Sequence, residues 1–216
     1  MKYLQLLSLS LFLMLTSSCS TDDEPDDYPE FELQTPDEFS QEEYELYSLF
    51  LEEWSGLNDI VVEQKTSAWV SNYIINSDSD NQRNDLNTRF EGYDTQLLAD
   101  QVEINTTPLF LDNRFSIAAK KVSLISQEEL DYIQENAPDK NAPGDDIPFW
   151  NYFHQIYPNS QGFISLSRIS FNETNDQALF EYSSGCGSLC GYGGLVYFRK
   201  ENGVWKLIEI ALLFIS

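Results

Sequence analysis

Apolar and polar positions alternate differently in the two halves of the chain, with helical spacing first and strand-like runs last. In FSQEEYELYSLFLEEWSG, which starts at Phe39, the apolar residues Tyr44, Tyr47, Phe50, Leu51 and Trp54 fall on one helical face. Ser40 precedes them as an N-cap, acids fill the first turn, and Gly56 ends the segment. Asn58 to Thr66, NDIVVEQKT, has a β-branched centre and predicts a strand. The next run, NSDSDNQRND, predicts a polar loop. Its oxygen donors Asp78, Asp80 and Asn81 invite a calcium reading, but Arg83 and Arg89 stand where such a loop needs glycine and glutamate. Residues 85–104 predict one helix or two short ones, with Gly92 as the interruption.

Phe115 to Ile125, FSIAAKKVSLI, predicts a strand, and SQEEL after it forms a capping box. Ser126 caps, Glu129 reaches back to the cap, and Ile125 meets Leu130 as a hydrophobic staple, opening a helix to about Asn136. PFWNYFHQIYP then predicts a short aromatic helix stopped by Pro158. From Gly162 onward, GFISLSRISF, QALFEYSS, GLVYFRK and VWKLIEIALLF predict four strands. Asn202–Gly203 between the last two is a hairpin signal. The expected class is α+β, a C-terminal four-stranded antiparallel meander covered by N-terminal helices, in one domain over residues 39–216.

The N-terminus sets the expected address. MKYLQLLSLSLFLMLTSSCS has Lys2, an apolar run from Tyr3 to Leu15, and small residues up to Cys19. That is the layout of a signal peptide over residues 1–18, and its apolar core is shorter than the roughly 20 residues a bilayer span requires. The small triplet followed by Cys19 resembles the lipobox of bacterial lipoproteins, with Thr16 where that family more often has an aliphatic residue. The resemblance implies a diacylglycerol on Cys19, hence a lasting membrane anchor. Asp22, Asp23, Glu24, Asp26 and Asp27 follow at once, similar to the acidic export signal that places some Bacteroidota lipoproteins on the outer face of the outer membrane. Residues 19–38, acidic and rich in proline, are read as a disordered tether.

The chain carries a formal charge of −24, with 36 acidic against 12 basic residues. No Lys or Arg lies between Lys2 and Lys65. Such a surface is a poor partner for nucleic acid, whose phosphates need clustered Lys and Arg, and it leaves cationic ligands open.

The motifs YPNSQG, SRISFN, QAL, CGSLCGYGG and KENGVW, spread over residues 157–206, resemble a pattern found in exported bacterial proteins without an assigned function. The resemblance implies a shared fold and brings no catalytic residue with it.

SSGCGSLCGYGG, residues 183–194, is the one stretch that looks like chemistry. A dinucleotide fingerprint fails at its third glycine, which is Cys190, and a strand follows instead of a helix. Zinc would need two further ligands, and His154 is the single histidine. A redox pair normally has CxxC at a helix N-terminus, whereas three residues separate Cys186 from Cys190. A structural disulfide in an oxidising compartment remains, with the chain folded back and the glycines supplying the backbone angles. His154 is expected to pack among Trp150, Phe153 and Tyr157. Glu173, Asp176 and Glu181 could offer a carboxylate pair; turn positions for the first two, and a cross-strand pair of Glu181 with Arg168, are the simpler expectation. Trp54, Trp69, Trp150 and Trp205 are core candidates, with a ligand cleft expected around Trp150, His154, Arg168 and Tyr192. The leading functional expectation is a non-catalytic lipoprotein binding an extracellular ligand or protein partner, without metal or cofactor. An envelope enzyme, either a carboxylate hydrolase or a thiol-disulfide protein using Cys186 and Cys190, is the alternative.

Overall fold

The computed structural model describes residues 28–53, 59–68, 71, 74, 80–118, 120–137 and 148–215. Cys19, the acids from Asp22 to Asp27, Trp54, Trp69 and Asp78 lie outside the described residues. The fold is mixed α and β, built on one seven-stranded sheet. Strands β1 (Asp59–Glu63), β2 (Lys121–Ile125) and β3 (Phe163–Leu166) run parallel in the order β2-β1-β3. Strands β4 (Ser170–Phe171), β5 (Gln177–Gly187), β6 (Cys190–Glu201) and β7 (Val204–Ile215) continue it antiparallel, with β3 and β4 both paired to β5.

The expected four-stranded sheet is therefore corrected to seven strands. GFISLSRISF is two strands because Ser167 interrupts the ladder: its Oγ accepts from Glu181 N–H at 2.7 Å, and one extra residue is gained between Leu166 and Ser170. The other additions, β1 and β2, are expected as strands from the sequence, but not as a parallel extension of the sheet in which β1 pairs with β3 and β2 with β1. Parallel pairing needs a crossover of a dozen or more residues, so no local signal marks it.

Helix α1 (Gln41–Glu53) lies on one face of the sheet, where its Tyr44, Tyr47 and Phe50 share a buried cluster with Val62, Ile164, Phe180 and Phe198. On the other face, Leu86 of α2 (Asp80–Arg89), Phe90 just after it and Leu97 of α3 (Gln96–Ile104) cover Leu179, Leu195 and Tyr197. Further along that face, Leu130 and Ile133 of α4 (Gln127–Asn136) and Phe153 of α5 (Pro148–Ile156) cover Val61 and Ile125. Strands covered on both sides lose the simple alternation of a half-exposed sheet, which is why every residue from Ala178 to Tyr182 is buried.

Two more local expectations change. Residues 80–85 of the expected polar loop belong to α2, whose helical state follows from burying Leu86, and Phe90 just after it, against the sheet more than from propensity; residues 76–79 lie outside the described residues. Residues 85–104 are two helices, broken at Gly92 with φ of 74°. The strand expected from Phe115 is only Lys121–Ile125; Phe115 and Ile117 pack on the α1 cluster as irregular chain. The Asn202–Gly203 turn has φ of 54° and 80° and joins β6 to β7 through two residues, as expected of a type I′ hairpin.

The second part of the acidic tether lies along the domain. Gln64 Nε2 donates to Gln34 O at 2.7 Å while Gln34 N–H donates to Gln64 Oε1 at 2.8 Å, and Asp37 N–H donates to Phe110 O at 2.9 Å. The tyrosine at its start, Tyr28, sits between α4 and α5, with ring centroids 5.7 Å from Tyr132 and 6.3 Å from Tyr152.

The start of α1 is tied to the far strands by one carboxylate. Glu42 Oε1 accepts from Lys200 Nζ at 2.6 Å and Trp205 Nε1 at 2.7 Å, and Oε2 accepts from Asn175 at 3.1 Å. Burial alone would raise the Glu42 pKa, but the bonds from Lys200, Asn175 and Trp205 together hold it below the ordinary carboxylate value. A lowered carboxylate contributes stability that is full above its unfolded value and is lost as pH falls through the folded one. Glu42→Gln is thus expected to lower thermal stability at pH 7 by about 1 kcal/mol, the upper end for a part-exposed pair. In melts against pH, that difference should vanish below the ordinary carboxylate range of about 4 to 4.5. A pH-independent difference would refute the ion-pair account.

Candidate functional site

The four residues expected to line one cleft fall in three places. Trp150 and His154 are neighbours on α5, their rings 6.2 Å apart, and Trp150 stacks on Phe163 at 5.6 Å. Arg168 lies in the bulge between β3 and β4, where its guanidinium donates to Ile104 O at 2.5 Å and its N–H to Asn105 Oδ1 at 2.8 Å. A cation at the carbonyl end of α3 is favoured by the helix dipole. Tyr192 packs on the α1 face of the sheet, whereas Trp150 packs on the opposite face.

The expected Arg168–Glu181 pair does not form. The bulge shifts Arg168 out of register, and Ser167 takes the place opposite Glu181, donating its N–H to Glu181 O at 3.0 Å. The Glu181 carboxylate, 2% exposed, instead accepts from Ser71 N–H at 3.0 Å. Glu173 and Asp176 belong to the β4–β5 turn, as expected. Asp176 accepts from Asn172 Nδ2 and Thr174 Oγ1, each at 2.7 Å, and those two bonds hold its pKa down.

Cys186 and Cys190 are joined as a disulfide with Cα atoms 5.1 Å apart. Strands β5 and β6 run on through the glycine segment, and Ser188 and Leu189 alone make the turn. Cys186 is the extra residue of a bulge between Gly185 and Gly187, so the bridge pins an irregular hairpin tip. The glycines do a different job from the one expected. None from Gly185 to Gly194 has positive φ. They keep space clear: a Cβ on Gly185 would lie 3.0 Å from Trp150, and one on Gly194 1.8 Å from Ala211 O.

A cavity that gathers polar groups lies elsewhere, at the β1–β2 edge beneath residues 28–31. It measures about 720 Å³, and its described walls include Tyr28, Phe31, Asp59, Lys121, Glu129 and Tyr157. Strand alternation brings Asp59 and Val61 of β1 and Lys121 and Ser123 of β2 into it, because these residues share one face of adjacent, in-register strands. The N-terminus of α4 brings Glu129. Here the capping box is only half made. Ser126 Oγ accepts from Glu129 N–H at 3.0 Å and Ile125 and Leu130 share a cluster, as expected. The Glu129 carboxylate, however, does not return to the cap. Its Oε1 accepts from Tyr28 OH at 2.8 Å and from Tyr157 OH at 2.5 Å. Burial, then the bond to Glu129, drives the Tyr28 pKa far above its ordinary value, which keeps the hydroxyl protonated and donating.

Glu63 and Ser165 form a second buried polar contact, Ser165 Oγ donating to the Glu63 carboxylate between the two apolar clusters of the same face. Burial raises the Glu63 pKa more than this bond lowers it. Among the described residues no group of three metal-ligating side chains occurs, and no helix is long and apolar enough to cross a membrane.

Sequence reasoning missed Glu129, Tyr28 and Tyr157 as site residues. Glu129 carried a sufficient local explanation as a capping residue, and Tyr28 lies 101 positions away from it. Compared with known proteins, the chain matches no family model, no curated protein and no solved structure.

Proposed function

We propose that this chain is a lipoprotein held at the outer membrane by lipid on Cys19, facing the cell exterior, whose α+β domain is a non-catalytic ligand-binding module. The cleft at the β1–β2 edge carries the binding part of this reading. Its volume is in the range of small-molecule sites, roughly 300–1,000 Å³, and it combines aromatic walls with a few convergent polar groups. The leader layout and Cys19 support the anchor, and the acids beside it support display away from an anionic lipid surface.

Cys19 and Tyr28 are nine positions apart, and Tyr28 is the first described residue packed on the domain. At no more than about 3.6 Å per residue, the anchor holds the cleft within about 32 Å of the bilayer surface. A ligand would be captured close to the membrane. The test is fractionation of cells making the Cys19→Ala chain: release into the soluble fraction is expected, and persistent membrane association would overturn the lipid anchor.

A further inference from the structure

We infer that the cleft takes a small organic cation, a protonated amine carried on a flat apolar body, with the second carboxylate oxygen of Glu129 as its acceptor; this rests on the reading of the domain as a binding module. Both tyrosine hydroxyls bond the same oxygen, Oε1. Among the described residues Oε2 accepts no hydrogen bond, although Glu129 is only 7% exposed and lines the cavity. An ionised carboxylate has about four acceptor positions. Among the described residues Ser71 Oγ is the one fully buried side-chain polar atom without a partner, so Oε2 is open to the cavity, where water or a ligand supplies its bond. The two tyrosines fix the plane of the carboxylate and aim the remaining oxygen at the cavity. This is the preorganisation expected of a recognition group.

The sign of the charge follows from the walls. Glu30, Asp59 and Glu129 face Lys121, a balance of three carboxylates to one ammonium among the described lining residues. The formal charge of the chain has the same sign, at −24. An anion would be opposed both by the site and by the field around it, while a cation is drawn in. The apolar part of the ligand is set by Tyr28, Phe31 and Tyr157, whose ring faces can stack and contact an ammonium group, beside the aliphatic Ile156. Strand residues Asp59, Val61, Lys121 and Ser123 and helix residue Glu129 form the regular part of the wall, and irregular residues 28–31 and 157–159 complete it.

The test is titration calorimetry of the purified protein with tryptamine, an aromatic amine, beside tryptophol, its neutral alcohol counterpart. Tryptamine is expected to bind saturably, and tryptophol at least about tenfold more weakly. Glu129→Gln keeps an acceptor for both tyrosines but removes the charge; it should weaken tryptamine by roughly ten- to a hundredfold, the range for a hydrogen bond to a charged group. Ser123→Phe fills the cavity from the strand β2 side without touching Glu129 and should abolish binding of both compounds. Thermal melts of both variants establish that they are folded. Equal affinity for the amine and the alcohol, both lost in Ser123→Phe, would overturn the cation assignment while leaving the cleft as a site. No binding of either compound, or binding indifferent to Glu129→Gln and Ser123→Phe alike, would overturn the cleft itself. Neither outcome depends on the fate of the lipid anchor, which the Cys19→Ala fractionation reads separately.

Discussion

Gly194→Ala is expected to cost about 3 kcal/mol or more, the upper end of overpacking penalties, although it adds one methyl group to the middle of a strand. The added Cβ would lie 1.8 Å from Ala211 O and 2.8 Å from Ala211 C, so main-chain atoms of β7 must move. They cannot yield cheaply, because β7 is bulged beside this point: Gly193 pairs with Phe214 and Gly194 with Leu212, leaving Leu213 as the extra residue. Relieving the contact means breaking the β6–β7 ladder where the bulge has already disrupted it. For a domain of this size about 3 kcal/mol corresponds to a fall of roughly 6–12 °C in Tm. Gly185→Ala is the internal control. Its nearest contact is the Trp150 side chain at 3.0 Å, which can shift, so its loss should be the smaller of the two. Thermal unfolding of both variants checks the ranking, and a Gly194→Ala protein as stable as Gly185→Ala would refute it.

Phe180→Ala should be comparably severe, costing about 3–5 kcal/mol. Phe180 is fully buried at the centre of the α1 face. Its ring meets Tyr47 at 5.3 Å and Phe50 at 5.4 Å edge-on, and stacks on Phe198 at 5.9 Å. Three rings from α1 and β6 therefore line the void that truncation would leave. Close-packed neighbours relax only partly, so the cavity cost adds to the lost transfer energy. Total stabilities of single domains are about 5–15 kcal/mol, so this one side chain decides a large share. Urea unfolding should show a lower midpoint at an unchanged slope, and Phe180→Leu should recover part of the loss. A midpoint shift under about 1 kcal/mol would mean that α1 does not pack on the sheet as described.

Features set by short stretches of chain are legible in the sequence. Ser40 caps α1, with its N–H donating to Glu43 Oε2 at 2.7 Å and its Oγ accepting from Glu43 N–H at 3.1 Å. Asn202–Gly203 makes its hairpin, and the Cys186–Cys190 bridge closes a turn. Each depends on residues within four positions of each other. Features set by distant segments are not legible there. VWKLIEIALLF reads as one strand, yet bulges at Ile208 and Leu213 move its side chains between faces twice. Those shifts answer to the partner strand β6. The helix Asp80–Arg89 reads as polar chain, because the surface that buries Leu86 and the following Phe90 belongs to β5 and β6.

The clearest comparison is a tetrapeptide that occurs twice. Ser40-Gln41-Glu42-Glu43 and Ser126-Gln127-Glu128-Glu129 both open helices, and in both the serine caps the N–H three residues on. That much is local hydrogen-bonding geometry, and the sequence by itself determines it. At the first site the exposed Glu43 also returns to its own cap. At the second, Tyr28 and Tyr157 arrive from other parts of the chain and offer two hydroxyl donors to a carboxylate that is nearly buried. Two donors in a poorly solvated place outweigh one backbone N–H at the helix end. The same glutamate that the sequence assigns to a helix cap is turned by the tertiary structure into the wall of a cleft.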